Sequence, residues 1–145
     1  MYIGGNVEKR LLNILVVDDE PMVARVVLRI LEGILEADGY TVVTIIEAGE
    51  HGFGSAVRTA LAQAKAEGEP FDILVSDIGL NGENGCAIVA EALKEYRDLR
   101  VFVMSGADSH LLTDELRALI AGFIPKPFTT GDFRAVLKPS IAAAQ

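Results

Sequence analysis

The stretch ILVVDDEP, from Ile14 to Pro21, contains the residues that decide how this chain folds. Its four leading residues are aliphatic, a composition typical of a strand buried on both faces of a parallel sheet. The strand then runs directly into the carboxylates of Asp18, Asp19 and Glu20. Negative charges crowded at the edge of a core repel one another unless a cation lies nearby. The stretch therefore predicts both a central strand and a site that requires positive charge.

The composition fits one compact domain with a protein or a metal cation as its partner. The chain has 145 residues, of which 50% are hydrophobic, enough to form a core of its own. Its 13 basic and 21 acidic residues give a formal net charge of −8. This balance argues against direct contact with nucleic acid, since phosphate backbones are bound by Lys/Arg patches.

The sequence also indicates where the protein works. No apolar run is both long enough and free enough of charge to span a bilayer, so no membrane contact is expected. The N-terminal residues lack the basic-then-apolar order of a secretory signal. A single cysteine, Cys86, excludes an internal disulfide framework and a cysteine-based zinc cage. These features predict a cytoplasmic protein.

Strand-like and helix-like segments alternate along the chain. Residues 1–10 are expected to form a loose lead-in, and residues 11–145 a single domain. Apolar segments predict five strands, at 11–17, 41–46, 71–76, 100–105 and 122–124. Helical spacing predicts five helices, at 21–37, 53–68, 85–96, 109–121 and 129–137. This order favours an α/β fold, a doubly wound parallel sheet with helices on both faces.

The last helix carries a signal at each end. Thr129 is a predicted N-cap with Asp132 three residues on, the spacing of a reciprocal cap. Pro139 is expected to truncate or kink the helix, since proline lacks the backbone N–H that a helix interior uses.

Polar residues stand where the predicted strands end. Asp18 and Asp19 follow the first strand, Asp77 the third, Ser105 ends the fourth, and Lys126 follows the fifth. The carboxyl ends of parallel strands share one edge of the sheet, where ligands bind. Carboxylate oxygens select a hard cation such as Mg²⁺, and a lysine suits a phosphoryl group. These residues together predict a metal site, a carboxylate nucleophile and side chains that bind a phosphoryl group.

These motifs together resemble the receiver domain of two-component response regulators. The resemblance covers about residues 11–138 and is carried by ILVVDDEP, DILVSDIGLNGENG, VFVMSG and GFIPKPF, which occur in the family's order. It implies a flavodoxin-like doubly wound five-stranded parallel sheet, in the order 2-1-3-4-5, with five helices. It also implies a stand-alone phosphoacceptor of a phosphorelay, similar to chemotaxis regulators.

The resemblance implies an acceptor residue and a metal site. Asp77 would accept a phosphoryl group from a phosphohistidine. Asp19 would bind Mg²⁺ directly, and Asp18 would help through the metal or its waters. The backbone carbonyl of Gly79 and the Asp77 carboxylate would be further ligands, which makes Mg²⁺ the expected cofactor.

The resemblance also implies roles around the phosphoryl group. Ser105 and Lys126 would hold its oxygens. Phe123 occupies the position of the family's switch aromatic, which would respond to movement of Ser105; taken alone, Phe123 fits a core residue equally well. The Lys126–Pro127 peptide bond would be cis.

Two segments depart from the family pattern. Residues 79–85 read GLNGENG, where the family usually has a methionine–proline pair and an aspartate before the last glycine. We expect this loop to be more mobile, with Glu83 solvated rather than facing the pocket. The second departure is an excess of residues around 47–70, for which the sequence indicates no role.

The first helix is a candidate docking surface. Its polar stripe is narrow, and its remaining apolar residues exceed what a sheet needs. We expect Val23, Val26, Val27, Ile30 and Ile34 to cover the sheet, and part of the row Ala24, Leu28, Leu31 and Leu35 to face solvent. Leu28 and Leu31 would then dock a histidine kinase or histidine phosphotransfer protein. The alternative is that the 47–70 segment or the last helix covers this row.

Two other functions remain open from the sequence. A pseudo-receiver would keep the fold and act as a protein-binding module without phosphorylation, although the full set of acidic, serine and lysine residues argues against it. An aspartate-nucleophile phosphohydrolase needs a second aspartate two residues after the nucleophile, and that position is Gly79. We therefore expect no enzyme activity beyond the protein's own phosphorylation and slow dephosphorylation.

Overall fold

A five-stranded parallel sheet forms the centre of the protein. The computed structural model describes residues 2–3, 6–7, 10–47, 52–80, 82–106 and 109–143. The sheet strands are β1 (Arg10–Val17), β2 (Tyr40–Glu47), β3 (Ile73–Asp77), β4 (Arg100–Ser105) and β5 (Gly122–Pro125). All neighbours pair in parallel, in the order β2-β1-β3-β4-β5. This is the predicted flavodoxin-like order, so the fold prediction is confirmed.

Helices cover both faces of this sheet. They are α1 (Pro21–Ala37), α2 (Phe53–Ala66), α3 (Gly85–Glu95), α4 (Asp114–Leu119) and α5 (Thr130–Ala143), with one 3₁₀ turn at Ser109–Leu111. Alternate strand residues enter two separate cores. One core packs the sheet against α1 and α5 and includes Ile14, Val16, Ile73, Val75, Phe102 and Met104. The other packs it against α2, α3 and α4 and includes Leu15, Val17, Leu74, Val101 and Val103.

The rotation of α1 differs from the prediction. Its buried residues are Ala24, Val27, Leu31, Ile34 and Leu35. Leu31 is 0% exposed, whereas Val26 is 49% and Met22 77% exposed. Of the row predicted to face solvent in part, only Leu28 is partly exposed, so Leu31 is wrong as a docking residue, and the prediction that Val26 covers the sheet is wrong as well. Apolar spacing alone does not decide which face of the helix turns inward, because apolar residues occur on most of its circumference.

The fourth and fifth helices also differ from their predicted bounds. The predicted helix 109–121 is broken, because Thr113 is extended and its Oγ1 accepts from the Leu116 N–H at 3.1 Å, which starts α4 afresh. The last helix runs through Pro139 to Ala143, so truncation at Pro139, one of the two predicted effects, is wrong, while a kink there stays a prediction. Pro139 is exposed, while Ile141 beyond it is buried and anchors the final turn.

The predicted reciprocal cap of the last helix is confirmed. The Thr129 N–H donates to Asp132 Oδ2 at 2.7 Å, and the Asp132 N–H donates to Thr129 Oγ1 at 3.1 Å.

Two further observations concern the segments outside the sheet. Within the predicted lead-in, Tyr2–Ile3 pairs antiparallel with Asn6–Val7. Of the lengthened 47–70 segment, residues 48–51 lie outside the described residues, and most of the rest forms α2. Among the described helices, none is long and apolar enough to cross a membrane.

Candidate functional site

Three chain-distant residues meet at the carboxyl edge of the sheet. Asp18 follows β1, Asp77 is the last residue of β3, and Lys126 follows β5. The Lys126 Nζ donates to Asp18 Oδ2 and to Asp77 Oδ2, both at 2.9 Å. The predicted convergence of these side chains is thus confirmed, and one ammonium group bridges two carboxylates.

The second oxygen of each carboxylate is held by the backbone. Asp18 Oδ1 accepts from the Glu20 N–H at 2.9 Å. Asp77 Oδ1 accepts from the Gly79 N–H at 3.2 Å. The side-chain exposure is 0% for Asp18, 8% for Asp77 and 21% for Lys126. The two carboxylates are therefore shielded from water, whereas the lysine side chain is partly exposed. Both carboxylates are therefore fixed in orientation.

The site carries more negative charge than its lysine neutralises. Burial raises the pKa of Asp18 and of Asp77, against the opposing effect of their hydrogen bonds and of the Lys126 charge. For Lys126, burial alone would lower the pKa, but the hydrogen bonds and charges of Asp77 and Asp18 raise it overall. One cation thus serves two buried carboxylates, and the carboxylates remain under-compensated.

The neighbouring carboxylates fit a divalent cation. One oxygen each from Asp18, Asp19 and Glu20 lie within 4.8 Å of one another. An all-oxygen donor set with a buried, under-compensated member suits Mg²⁺. Glu20 was absent from the predicted ligands, although its position next to the aspartates is the signal for it. Asp77, also a predicted ligand, is not among these three carboxylates.

Ser105 and Phe123 flank the lysine. Ser105 is 1% exposed, ends β4, and its backbone carbonyl accepts from the Lys126 N–H at 2.8 Å. Phe123 on β5 is half-buried, and its ring centroid lies 5.1 Å from the Arg117 guanidinium carbon of α4. The ring thus packs against the core beneath α2, α3 and α4 and makes a cation–π contact with Arg117. The Lys126–Pro127 peptide bond is cis, as the resemblance implied.

The segment that follows β3 forms a hairpin. Gly79–Leu80 pairs antiparallel with Glu83–Asn84, and Gly82 between them has φ of +89°, a value that glycine adopts without strain. Glu83 accepts from the N–H groups of Phe53 and Gly54 at the start of α2, both at 3.2 Å. The prediction that Glu83 is simply solvated is therefore wrong. Asn81 lies outside the described residues.

The same hairpin also starts the next helix. Asn84 Oδ1 accepts from the Ala87 N–H at 3.1 Å, which caps α3. Gly85 follows it, where a Cβ atom would lie only 2.5 Å from the Ile78 Cα. This close approach requires glycine and brings the helix start against the residue next to Asp77.

Comparison with known proteins gives the family. Residues 14–138 match the family model described as the response regulator receiver domain. A plant protein described as two-component response regulator ARR13, from Arabidopsis thaliana, is 31% identical over 121 residues, which cover 83% of this chain and 19% of that protein. A second, ARR21, is 27% identical, and this chain covers 18% of it. The chain thus spans less than a fifth of the curated relatives it matches.

Solved structures have the same fold. The signal receiver domain of a protein described as response regulator NarL, from Mycobacterium tuberculosis, is 26% identical with a TM-score of 0.61, and the match covers 91% of this chain and 98% of that one. A structure of histidine kinase ThkA with response regulator TrrA matches at 24% identity and a TM-score of 0.60, over 90% of this chain and 98% of that one. The fold, the acidic site and the family match agree: this chain belongs to the response regulator receiver domain family.

Proposed function

We propose that this protein is a phosphoacceptor of two-component signalling, in which Asp77 accepts a phosphoryl group from a phosphohistidine. The observation that carries the proposal is the position of Lys126 Nζ, 2.9 Å from Asp18 Oδ2 and 2.9 Å from Asp77 Oδ2. A lysine in this position serves both as counter-charge before transfer and as a partner for phosphoryl oxygens after it.

The transfer exchanges one bond to phosphorus for another. An oxygen of the Asp77 carboxylate forms the new P–O bond while the P–N bond to the donor imidazole breaks, and the imidazole, already protonated on its other ring nitrogen, leaves as the neutral ring. The Gly79 N–H orients the carboxylate through its contact with Oδ1. Asp18, Asp19, Asp77 and the Gly79 carbonyl would hold Mg²⁺, which would supply positive charge against the phosphoryl oxygens.

The switch would work through Ser105 and Phe123. The Ser105 hydroxyl donates to a phosphoryl oxygen, and its movement toward the site leaves space into which the Phe123 ring turns. This is a local change in charge and packing with a surface readout. The half-buried position of Phe123 supports this role, because the ring has both a surface contact and a core to enter.

Incubation with Mg²⁺ and acetyl phosphate, followed by intact mass measurement, tests the proposal. We expect one added phosphoryl group on the wild type and none on Asp77→Asn, whose fold is retained. Asp19→Asn should also label poorly, in its case because Mg²⁺ binds more weakly. A wild type that folds, binds Mg²⁺ and stays unlabelled would instead support the alternative, a pseudo-receiver that acts as a binding module.

The proposed donor is a histidine kinase or histidine phosphotransfer protein. TrrA, whose receiver fold this chain shares, was solved with a histidine kinase. The net charge of −8 supports protein partners over direct contact with nucleic acid. On α1, Leu28 remains the proposed docking residue because it is only half-buried, whereas Leu31 belongs to the core. Leu28→Glu should slow transfer from the kinase and leave labelling by acetyl phosphate unchanged.

A further inference from the structure

The N-terminus of α2 is capped from outside the helix. Its N-cap residue, Gly52, has φ of +80° and no side chain to accept from the first N–H groups. Glu83 supplies the missing acceptors: Oε2 takes the Phe53 N–H and Oε1 the Gly54 N–H, each at 3.2 Å. A carboxylate is favoured here by the helix dipole as well as by the two hydrogen bonds.

The other strand of the Glu83 hairpin holds the acceptor carboxylate. Gly79 pairs with Asn84, the residue after Glu83, and the Gly79 N–H donates to Asp77 Oδ1 at 3.2 Å. Between them, Leu80 pairs directly with Glu83 and is 0% exposed. The hairpin is therefore a short, anchored link that runs from the start of α2 to the side chain of Asp77.

We propose that Glu83 is a positioning residue for phosphoryl transfer: its bridge to the start of α2 fixes the hairpin and, through it, the backbone of Gly79 at the Asp77 carboxylate. The inference rests on the proposed function, since it assigns Glu83 a part in the same reaction. It also accounts for a departure from the family pattern. The loop lacks the usual methionine–proline pair, and the anchor on α2 replaces the rigidity that a proline would supply.

Three variants separate positioning from simple helix capping. Glu83→Ala removes both acceptors, and Glu83→Gln keeps one carbonyl oxygen of the same reach. Glu91→Ala is the matched control, because Glu91 is an exposed glutamate of α3 whose contact with Arg58 of α2, at 3.5 Å, lies away from the hairpin. For each we would measure the acetyl phosphate labelling rate at saturating Mg²⁺, the Mg²⁺ dissociation constant from amide NMR shifts including that of Gly79, and the fraction folded.

If Glu83 positions the hairpin, Glu83→Ala should label about fivefold more slowly per folded molecule, which corresponds to about 1 kcal/mol in the activation free energy of transfer. Its Mg²⁺ dissociation constant should rise, Glu83→Gln should be intermediate, and Glu91→Ala should match wild type. A folded Glu83→Ala with the labelling rate and Gly79 shift of wild type would overturn the inference and leave Glu83 a cap only. If the wild type itself stays unlabelled, the proposed phosphorylation is refuted. The positioning role is tested separately, since it is refuted if Glu83→Ala has the Mg²⁺ affinity and the Gly79 amide shift of the wild type.

Discussion

Replacing Lys126 with methionine tests whether this lysine is the counter-charge of the site. Its Nζ lies 2.9 Å from a carboxylate oxygen of Asp18 and 2.9 Å from one of Asp77. Methionine keeps much of the apolar stem and removes the charge, so two shielded carboxylates would face each other without a cation. We expect the metal-free protein to unfold more easily as a result.

The expected loss is about 3 kcal/mol in the free energy of unfolding. Removing one partner of a buried ion pair costs roughly 3–5 kcal/mol, because the remaining charge is left poorly solvated. The side chains of Asp18 and Asp77 are 0% and 8% exposed, but that of Lys126 is 21% exposed, which places the cost at the lower end. Protonation of one carboxylate limits the loss further, so the variant should regain stability as the pH falls.

Urea unfolding in EDTA at neutral pH, followed by circular dichroism, measures this loss. Lys138→Met is the matched control, since Lys138 pairs with Asp38 at 3.5 Å on the surface with both side chains exposed, and it should cost at most about 0.5 kcal/mol. Adding Asp77→Asn to Lys126→Met should recover at least about 1 kcal/mol, because the two residues are coupled. A loss as small as that of the control, without coupling, would show that water already screens the site and would refute the reasoning.

Three further outcomes follow from the described contacts. Gly122→Val should destabilise the protein by about 1–3 kcal/mol in urea unfolding, because an added Cβ atom would collide with the α5 side chain packed over it. Arg117→Met should free the Phe123 ring from a contact worth about 0.5–1 kcal/mol, which NMR would detect as faster or more inward ring motion; an unchanged ring would mean that packing alone holds it. Burial raises the pKa of Asp18 and of Asp77 above the ordinary value of 3.8. Each residue therefore contributes stability at a pH below 3.8, and that contribution is lost as the pH rises through the raised pKa of the folded protein. The free energy of unfolding of the metal-free protein should therefore increase as the pH falls from neutral toward these raised pKa values. The increase should be smaller in a variant with asparagine at both positions.

The sequence predicts the sheet and its site edge because both depend on strong local signals. Aliphatic strands alternate with helices, which indicates a parallel sheet. Polar residues at the carboxyl ends of parallel strands lie at the same edge of that sheet. Asp18, Asp77 and Lys126 meet as predicted. The sequence predicts the orientation of the helices less well. In α1, apolar spacing allows more than one face to be buried, and only the structure shows that Ala24 and Leu31 lie on the buried face.

The contact of Glu83 with α2 shows a different limit of prediction. Its two N–H partners, on Phe53 and Gly54, are 30 and 29 residues away, so no local pattern links them. The only signal in the sequence is indirect: Gly52 leaves a predicted helix without a side-chain cap. An acceptor had to come from elsewhere, but only the folded chain identifies which carboxylate supplies it.

The acidic edge of the sheet is better explained by chemistry than by folding. Buried ion pairs are weak contributors to stability, because desolvation offsets much of the attraction. Here the balance is less favourable still, since burial raises the pKa of both Asp18 and Asp77 although Lys126 touches each. Two apolar cores hold the sheet together without help from this site. The same contacts raise the pKa of Lys126, so the lysine gains from the site while the two carboxylates lose by burial. A bound cation would relieve the two carboxylates, and we therefore predict that Mg²⁺ stabilises the fold.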